Sequence, residues 1–232
     1  MAKSLADCEV GLPLALHYAH YQRHGDNMDD PVETSFAAPN VWRGGFYELE
    51  IVPRIRSSQQ IVALLSALWS FPSLDGCYLR NDCVPSKQPR CKPYEEGREG
   101  HLYGMAELPG KGRIVCGSYA MNYAGEDGSP PAYRVGFYFP LGALSEIFPV
   151  GAYPFGAMSS VPEWRIPIDE FLRSLAEWIF RRVPFDFAII GFEIGGNVTP
   201  EKIRADGIPH ERPNGILWNE EGELKWFGPN RP

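Results

Sequence analysis

Segments whose apolar residues recur at every second position outnumber segments with a helical repeat, and this imbalance limits the folds open to the chain. Such period-two patterns predict strands at about residues 44–52, 101–108 and 113–121 across a glycine-rich turn, and 132–139, and in a terminal hairpin around Gly222. The stretch 185–194, FDFAIIGFEI, is apolar on both faces, which is typical of a strand in the middle of a sheet. The glycines that follow it predict a turn, and no helix is predicted after them.

Two principal helices are predicted. The first spans about residues 57–71, where Ser57 and Gln60 form a capping box ahead of an apolar stripe. The stripe consists of Ile61, Leu64, Leu65 and Leu68.

The second helix is predicted over residues 168–182 and starts at Pro167. Asp169 and Glu170 then fall in its first turn and two arginines in its last, an arrangement that the helix dipole favours. A shorter helix is predicted at LGALSEIF, residues 141–148, whereas residues 73–100 read as a long turn-rich loop.

Together these elements predict an α+β fold, a mainly antiparallel sheet with two principal helices packed on it. Residues 1–40 have the least regular pattern and are predicted to be an irregular N-terminal arm. No change of composition separates the rest, so residues 41–232 are predicted to be a single domain.

The charge of the chain argues against direct nucleic-acid binding, because its formal net charge is −7 and a nucleic-acid binder needs a basic surface. Residues 25–50 alone carry six acids against one arginine. Five cysteines without a C-x-x-C pair indicate reduced thiols, and neither a signal peptide nor a run of about 18 apolar residues is present. We therefore expect a cytoplasmic location and no membrane partner.

The strand GFYELEI places Phe46, Glu48 and Glu50 on one face. Two carboxylates spaced about 7 Å apart on a strand can serve an acid/base pair, half of a metal site or a wet surface. The local sequence offers Glu48 and Glu50 no catalytic partner, so we expect the solvent-facing side of an edge or outer strand. Phe46 adds an aromatic group to this acidic face, a mixture typical of a protein interface.

Other candidates for chemistry are weaker. His17, His20 and His24 share the spacing of one helical face, but nothing else in that segment supports a metal site, so neither a metal nor a cofactor is predicted. Cys116 or Ser118 with a distant histidine base such as His101 is the alternative, a small hydrolase or transferase. Cys116 also suits a small buried hydrophobe, and no catalytic residue is assigned.

The order of several stretches resembles the immunity protein 52 family, bacterial antitoxins encoded beside polymorphic or type VI secretion toxins. The resemblance covers roughly residues 42–196. The stretches are GGFYELEI, ALLSALWSFPSLDGCYL, RIVCGSYAM, FYFPLGAL, VGAYPFG and PFDFAIIGFEIGG.

The resemblance implies an α+β fold and an antitoxin, not an enzyme, that binds and neutralises a cognate toxin of a restriction-endonuclease-like nuclease class. A nuclease that grips DNA has a positive cleft, so acidic residues could steer the two proteins together. The expected partner-binding residues are Asp29, Asp30, Phe46, Glu48, Glu50, Glu126 and Asp127. A scaffold or adaptor without a toxin partner is a further alternative.

Overall fold

A computed structural model describes residues 35–54, 57–93, 100–123, 132–151, 160–194 and 198–231. These residues form eight strands: β1 (Phe46–Val52), β2 (Leu74–Tyr78), β3 (Gly100–Leu108), β4 (Gly112–Tyr123), β5 (Ala132–Pro140), β6 (Phe187–Phe192), β7 (Gly215–Glu220) and β8 (Glu223–Phe227). Four α-helices lie wholly within them: α1 (Ser58–Trp69), α2 (Leu141–Ile147), α3 (Arg165–Phe180) and α4 (Pro200–Asp206). A short 3₁₀ helix spans Pro85–Lys87.

The eight strands form one sheet in the order β2-β3-β4-β5-β1-β6-β7-β8. Every neighbouring pair is antiparallel. The predicted α+β fold with a mainly antiparallel sheet is therefore confirmed. Strand β1, the first of the described strands, lies between β5 and β6, so its pairings join the two halves of the sheet.

The strongest local signals correspond to elements of the structure. Helix α1 begins after Ser57, whose hydroxyl accepts a 3.2 Å hydrogen bond from the backbone N–H of Gln60, as the capping signal predicts. The four apolar residues of its predicted stripe are all buried. The β3–β4 and β7–β8 hairpins also form where the turn residues predict them.

Helix α3 starts earlier than predicted, at Arg165. Pro167 lies within the first turn instead of before it, which costs no hydrogen bond because the first N–H groups of a helix have no partner inside the helix. Asp169 and Glu170 consequently lie beyond the first turn, and Arg181 caps the C-terminus. The predicted placement of the two acids in the first turn and of the two arginines in the last turn is wrong.

Besides the 3₁₀ helix, two short elements were not predicted. Strand β2 lies in the segment read as a loop, and its LDGCY sequence contains aspartate and glycine, which are rare in strands. Helix α4 begins a few residues after Gly195 and Gly196, where no helix was predicted; the Thr199 hydroxyl accepts a hydrogen bond from the N–H of Lys202 at its start. Its seven residues are too few to show a helical repeat.

Both faces of the sheet carry apolar packing. On one face, Tyr47, Leu49 and Ile51 of β1 belong to the main core together with buried residues of α1 and α3. On the other face, over β6 and β7, Ile203 of α4 packs in a smaller cluster with Phe187 and other side chains. Farther along this second face, where β1, β5, β4 and β3 form it, the side chains include polar and charged residues.

Of the predicted N-terminal arm, only residues 35–40 are described. Phe36 is fully buried there, and its ring packs edge-on against Trp42 and Tyr78. The irregular character expected of residues 1–40 stays a prediction.

Candidate functional site

The prediction that Glu48 and Glu50 face solvent is wrong. Glu48 is only 8% exposed, and both of its carboxylate oxygens accept hydrogen bonds. Oε2 accepts from the hydroxyl of Tyr119 at 2.9 Å, and Oε1 accepts from the backbone N–H of Ile194 at 3.2 Å. Strand β1 is neither an edge nor an outer strand but is flanked by β5 and β6, and groups from both sides, Tyr119, Arg134 and Ile194, reach the two carboxylates.

Glu50 forms an ion pair in which its Oε1 lies 3.0 Å from Nε of Arg134 on β5. The side chains are only 14% and 18% exposed, respectively. Burial raises the pKa of Glu50 to about 7, because the loss of water outweighs the attraction of Arg134. Burial likewise raises the pKa of Glu48, although the bonds from Tyr119 and Ile194 oppose the shift.

Two tyrosines lie across from two glycines on the neighbouring strands β4 and β5. In the antiparallel register Gly117 faces Tyr138 and Tyr119 faces Gly136. A Cβ atom at either glycine would lie less than 3.0 Å from ring atoms of the opposite tyrosine. Each tyrosine ring therefore occupies space that only a glycine on the opposite strand leaves open. This fixes the position of the Tyr119 ring, whose hydroxyl reaches Glu48.

A histidine connects the tyrosines to solvent. Nδ1 of His101 lies 2.7 Å from the hydroxyl of Tyr138, and the ring of Phe46 packs 4.3 Å from the ring of Tyr138. Desolvation lowers the pKa of His101 and raises that of Tyr138. His101 is exposed and Phe46 half-buried, so the two lie at the outer rim of the group. We call Phe46, Glu48, His101, Tyr119 and Tyr138 the sheet-face cluster.

The sheet-face cluster has the geometry of a fixed polar network. Because both oxygens of Glu48 already have donors, its carboxylate is held in one orientation. The cluster presents an imidazole and a phenyl ring outward from a rigid base of strands. Such a surface suits recognition of another molecule by packing and hydrogen bonding.

The structure does not bring the thiol of Cys116 or the hydroxyl of Ser118 to His101. His101 pairs with Tyr119, so it shares a sheet face with Tyr119 and lies on the face opposite to Ser118. Cys116 is fully buried, and burial raises the pKa of its thiol well above the usual value. Ser118 is also fully buried and accepts a 2.9 Å hydrogen bond from the indole of Trp69.

The remaining predicted residues lie outside the part of the chain that the structure describes. They are Asp29, Asp30, Glu126 and Asp127 of the partner surface and His17, His20 and His24 of the metal candidate. Within the described ranges, no group of three or more His, Cys, Asp or Glu side chains is placed to hold a metal ion.

A second buried polar network was missed from the sequence. The hydroxyl of Tyr47 donates a 2.5 Å hydrogen bond to Oδ1 of Asp169 and accepts a 2.8 Å bond from Nε of Arg165. The same guanidinium donates to the carbonyl of Pro213 at 2.8 Å. Burial raises the pKa of Asp169 to about 6 despite the bond from Tyr47 and the charge of Arg165. This network ties α3 to β1 and to the segment before β7.

Each missed group left a trace in the sequence. Strands β4 and β5 both contain Gly-x-Tyr, and an antiparallel register can set each tyrosine of such a pair over the other strand's glycine. Arg165 and Asp169 are four residues apart, which is the spacing of neighbours on one side of a helix.

A groove of about 400 Å³ lies apart from both networks. Its walls come from the end of α1, the β3–β4 turn, and the facing ends of α2 and α3. The aromatic side chains in it are Phe71, Phe148 and Phe171, and Lys111 and Glu170 are its charged lining residues. It contains no cysteine or histidine among its lining residues.

The chain was compared with family models, curated proteins and solved structures, and none of them matches it. Among the described helices, none is long and apolar enough to span a lipid bilayer.

Proposed function

We propose that this chain is an immunity protein that binds a cognate secreted toxin of nuclease type and neutralises it by occlusion. The observation that carries the proposal is the ordered set of stretches that resembles the immunity protein 52 family. The described parts of that set supply the neighbouring strands β4, β5, β1 and β6, the edge strand β2, and parts of helices α1 and α2. These stretches thus fall on strands of one sheet and on helices packed against it, which supports the proposal.

The sheet-face cluster is the surface proposed to contact the toxin. Phe46 and His101 stand at its rim, and Met121 on β4 is 39% exposed. Aromatic residues and methionine are enriched at protein interfaces, where they fill pockets of the partner. Glu48 and Glu50 take a different role from the one expected: they hold Tyr119 and Arg134 in place beneath this surface.

Electrostatic steering is assigned to the predicted acidic residues other than Glu48 and Glu50. Buried and paired carboxylates contribute little to the field outside the protein, whereas exposed acids attract a basic cleft over about a Debye length. Asp29, Asp30, Glu126 and Asp127 are the proposed steering residues, within a chain whose net charge is −7.

Co-expression with the toxin tests the function. The chain and the product of the neighbouring reading frame are expressed together in bacteria, and growth and co-purification are measured. We expect growth to be rescued and the two proteins to elute as one complex. A neighbouring product that stays toxic and elutes separately would contradict the proposal.

Two sets of variants then test the surface. Phe46→Ala is expected to weaken toxin binding at least tenfold, whereas Ile166→Ala, which removes a 54% exposed side chain on α3 across the sheet, leaves it unchanged. Reversal of the four steering acids to lysine is expected to slow association most at low salt. Equal affinities for Phe46→Ala and Ile166→Ala would exclude the sheet-face cluster as the contact surface, and a salt-independent rate would exclude steering.

A further inference from the structure

Two cysteines that are far apart in sequence have their sulfur atoms in contact. Sγ of Cys77, in the edge strand β2, lies 3.1 Å from Sγ of Cys91, and the residues are 14 positions apart. Neither cysteine is in a disulfide bond. The backbone N–H of Cys91 donates a 2.8 Å hydrogen bond to the carbonyl of Cys77, so the two backbones also meet at this point.

Independent contacts hold both cysteines in this arrangement. Arg90, next to Cys91, forms an ion pair with Asp75, two residues before Cys77. Arg113 of β4 contacts the other oxygen of Asp75 at 2.7 Å, which fixes that carboxylate on the sheet. The ends of the intervening loop are thus tied together by side chains other than the cysteines.

A glutamine closes the loop from inside. The side-chain amide of Gln88 donates to the carbonyl of Arg80 at 2.8 Å and to that of Cys83 at 2.5 Å. Its oxygen accepts from the backbone N–H of Arg80 at 3.2 Å. Because the loop is already closed in the folded protein, joining the two sulfurs costs little further loss of conformational entropy there.

We propose that Cys77 and Cys91 are a redox pair that a small disulfide, such as glutathione disulfide, converts to an intramolecular disulfide. The thiolate of Cys91 attacks glutathione disulfide, forming a mixed disulfide and releasing one glutathione thiolate. The thiolate of Cys77 then attacks the sulfur of Cys91 and releases the second. Two cysteine thiols are oxidised, one glutathione disulfide is reduced, and the two thiol protons pass to the glutathione thiolates.

The exposures of the two thiols set this order. Cys77 is 2% exposed, whereas Cys91 is partly exposed and can meet a small disulfide from solvent. Cys83 is partly exposed as well and is the natural competitor. The sulfur of Cys83 lies 3.8 Å from the Val84 carbonyl oxygen, whereas the sulfur of Cys91 contacts that of Cys77, so Cys91 is the proposed partner of Cys77.

Peptide mapping of the full chain tests the pair. The protein is incubated with glutathione disulfide, blocked with an alkylating agent and digested with trypsin. Cys77, Cys83 and Cys91 fall in separate peptides, residues 57–80, 81–87 and 91–98. We expect a cross-link between the first and the third, the loss of two of the five thiols, and an unfolding temperature higher by roughly 5–10 °C.

Single serine variants supply the controls. Cys77→Ser and Cys91→Ser should abolish the cross-link, and Cys77→Ser should leave glutathione attached to Cys91. Cys83→Ser is the matched control and should cross-link like the unaltered chain. The proposal is overturned if the unaltered chain keeps a stable glutathione adduct on Cys91 without a cross-link, or if the main cross-link contains residues 81–87.

Discussion

The hydroxyl of Tyr119 donates a 2.9 Å hydrogen bond to Oε2 of Glu48, which lies 71 residues earlier in the chain. The two residues belong to strands that are not direct neighbours, since β5 lies between β1 and β4. The phenol spans β5 by lying over Gly136, where no side chain blocks it. A glycine on one strand thus determines which donor a carboxylate on another strand receives.

Removal of this donor is expected to destabilise the protein. Tyr119→Phe keeps the ring but leaves Oε2 of Glu48 without its phenol donor, at a cost of about 1–3 kcal/mol in the free energy of unfolding. Urea denaturation at pH 8 measures the change. Tyr133→Phe, at a half-buried tyrosine of β5, is the control and should cost less than about 0.5 kcal/mol. Equal effects of the two variants would show that the bond contributes no net stability.

Alanine at Gly136 is expected to displace the ring of Tyr119. Its Cβ would lie less than 3.0 Å from ring atoms whose position the bond to Glu48 fixes. We expect a loss of roughly 1–3 kcal/mol, typical of overpacking. Gly228→Ala is the matched control, because a Cβ there meets Trp226 only at 3.4 Å or more. A double variant, Gly136→Ala with Tyr119→Ala, should recover part of the loss, and a strictly additive result would contradict this explanation.

The stability of the protein is expected to fall as pH rises from about 4.5 to 7. The pKa of Glu50 is raised from 4.5 to about 7 in the folded state, so the native protein binds more protons than the unfolded chain in this window. The favourable contribution is complete below the unfolded pKa and is lost as pH rises through the folded one. Asp169, whose pKa is raised from 3.8 to about 6, acts in the same direction.

The variant Glu50→Gln shows how much Glu50 contributes to this fall of unfolding free energy with pH. The variant should have a flatter curve of unfolding free energy against pH between about 4.5 and 7, by up to about 3 kcal/mol over the window. Chemical denaturation at a series of pH values measures it. Exposed Glu107→Gln on β3 is the control and should keep the original slope. If the Glu50→Gln curve keeps that slope too, the pKa of Glu50 is not raised.

The hydroxyl of Tyr47 is expected to be a main stabilising group of the second network. Tyr47→Phe removes the acceptor of the Arg165 bond and the donor of the Asp169 bond, leaving two buried charged groups short of a partner. We expect a loss of about 2–4 kcal/mol, because hydrogen bonds to charged groups are worth about 1.5–3 kcal/mol each and the losses overlap. Thermal and urea unfolding at pH 7 measure it, and a loss below about 1 kcal/mol would show that other groups satisfy both charges.

Local patterns predicted the elements whose signals lie within a few residues. The cap at Ser57, the buried stripe of α1, the glycine-rich turn before β4 and the two-sided apolar strand β6 all depend on neighbours in sequence. The α+β class follows from them, because a majority of antiparallel strands with few helices leaves little alternative. Strand β2 and helix α4 were not predicted, because five and seven residues are too few to show a repeat.

The sequence by itself therefore determined the alternation that puts Phe46, Glu48 and Glu50 on one face of a strand, but not what that face meets. Only the tertiary structure decided that β1 lies between β5 and β6, which turns an apparent wet surface into a buried, hydrogen-bonded one. Strand order and register come from pairings between distant segments, and a periodic pattern is the same at the edge of a sheet and at its centre. The same limit applies to the contact between Cys77 and Cys91, which depends on how the intervening loop folds against the sheet.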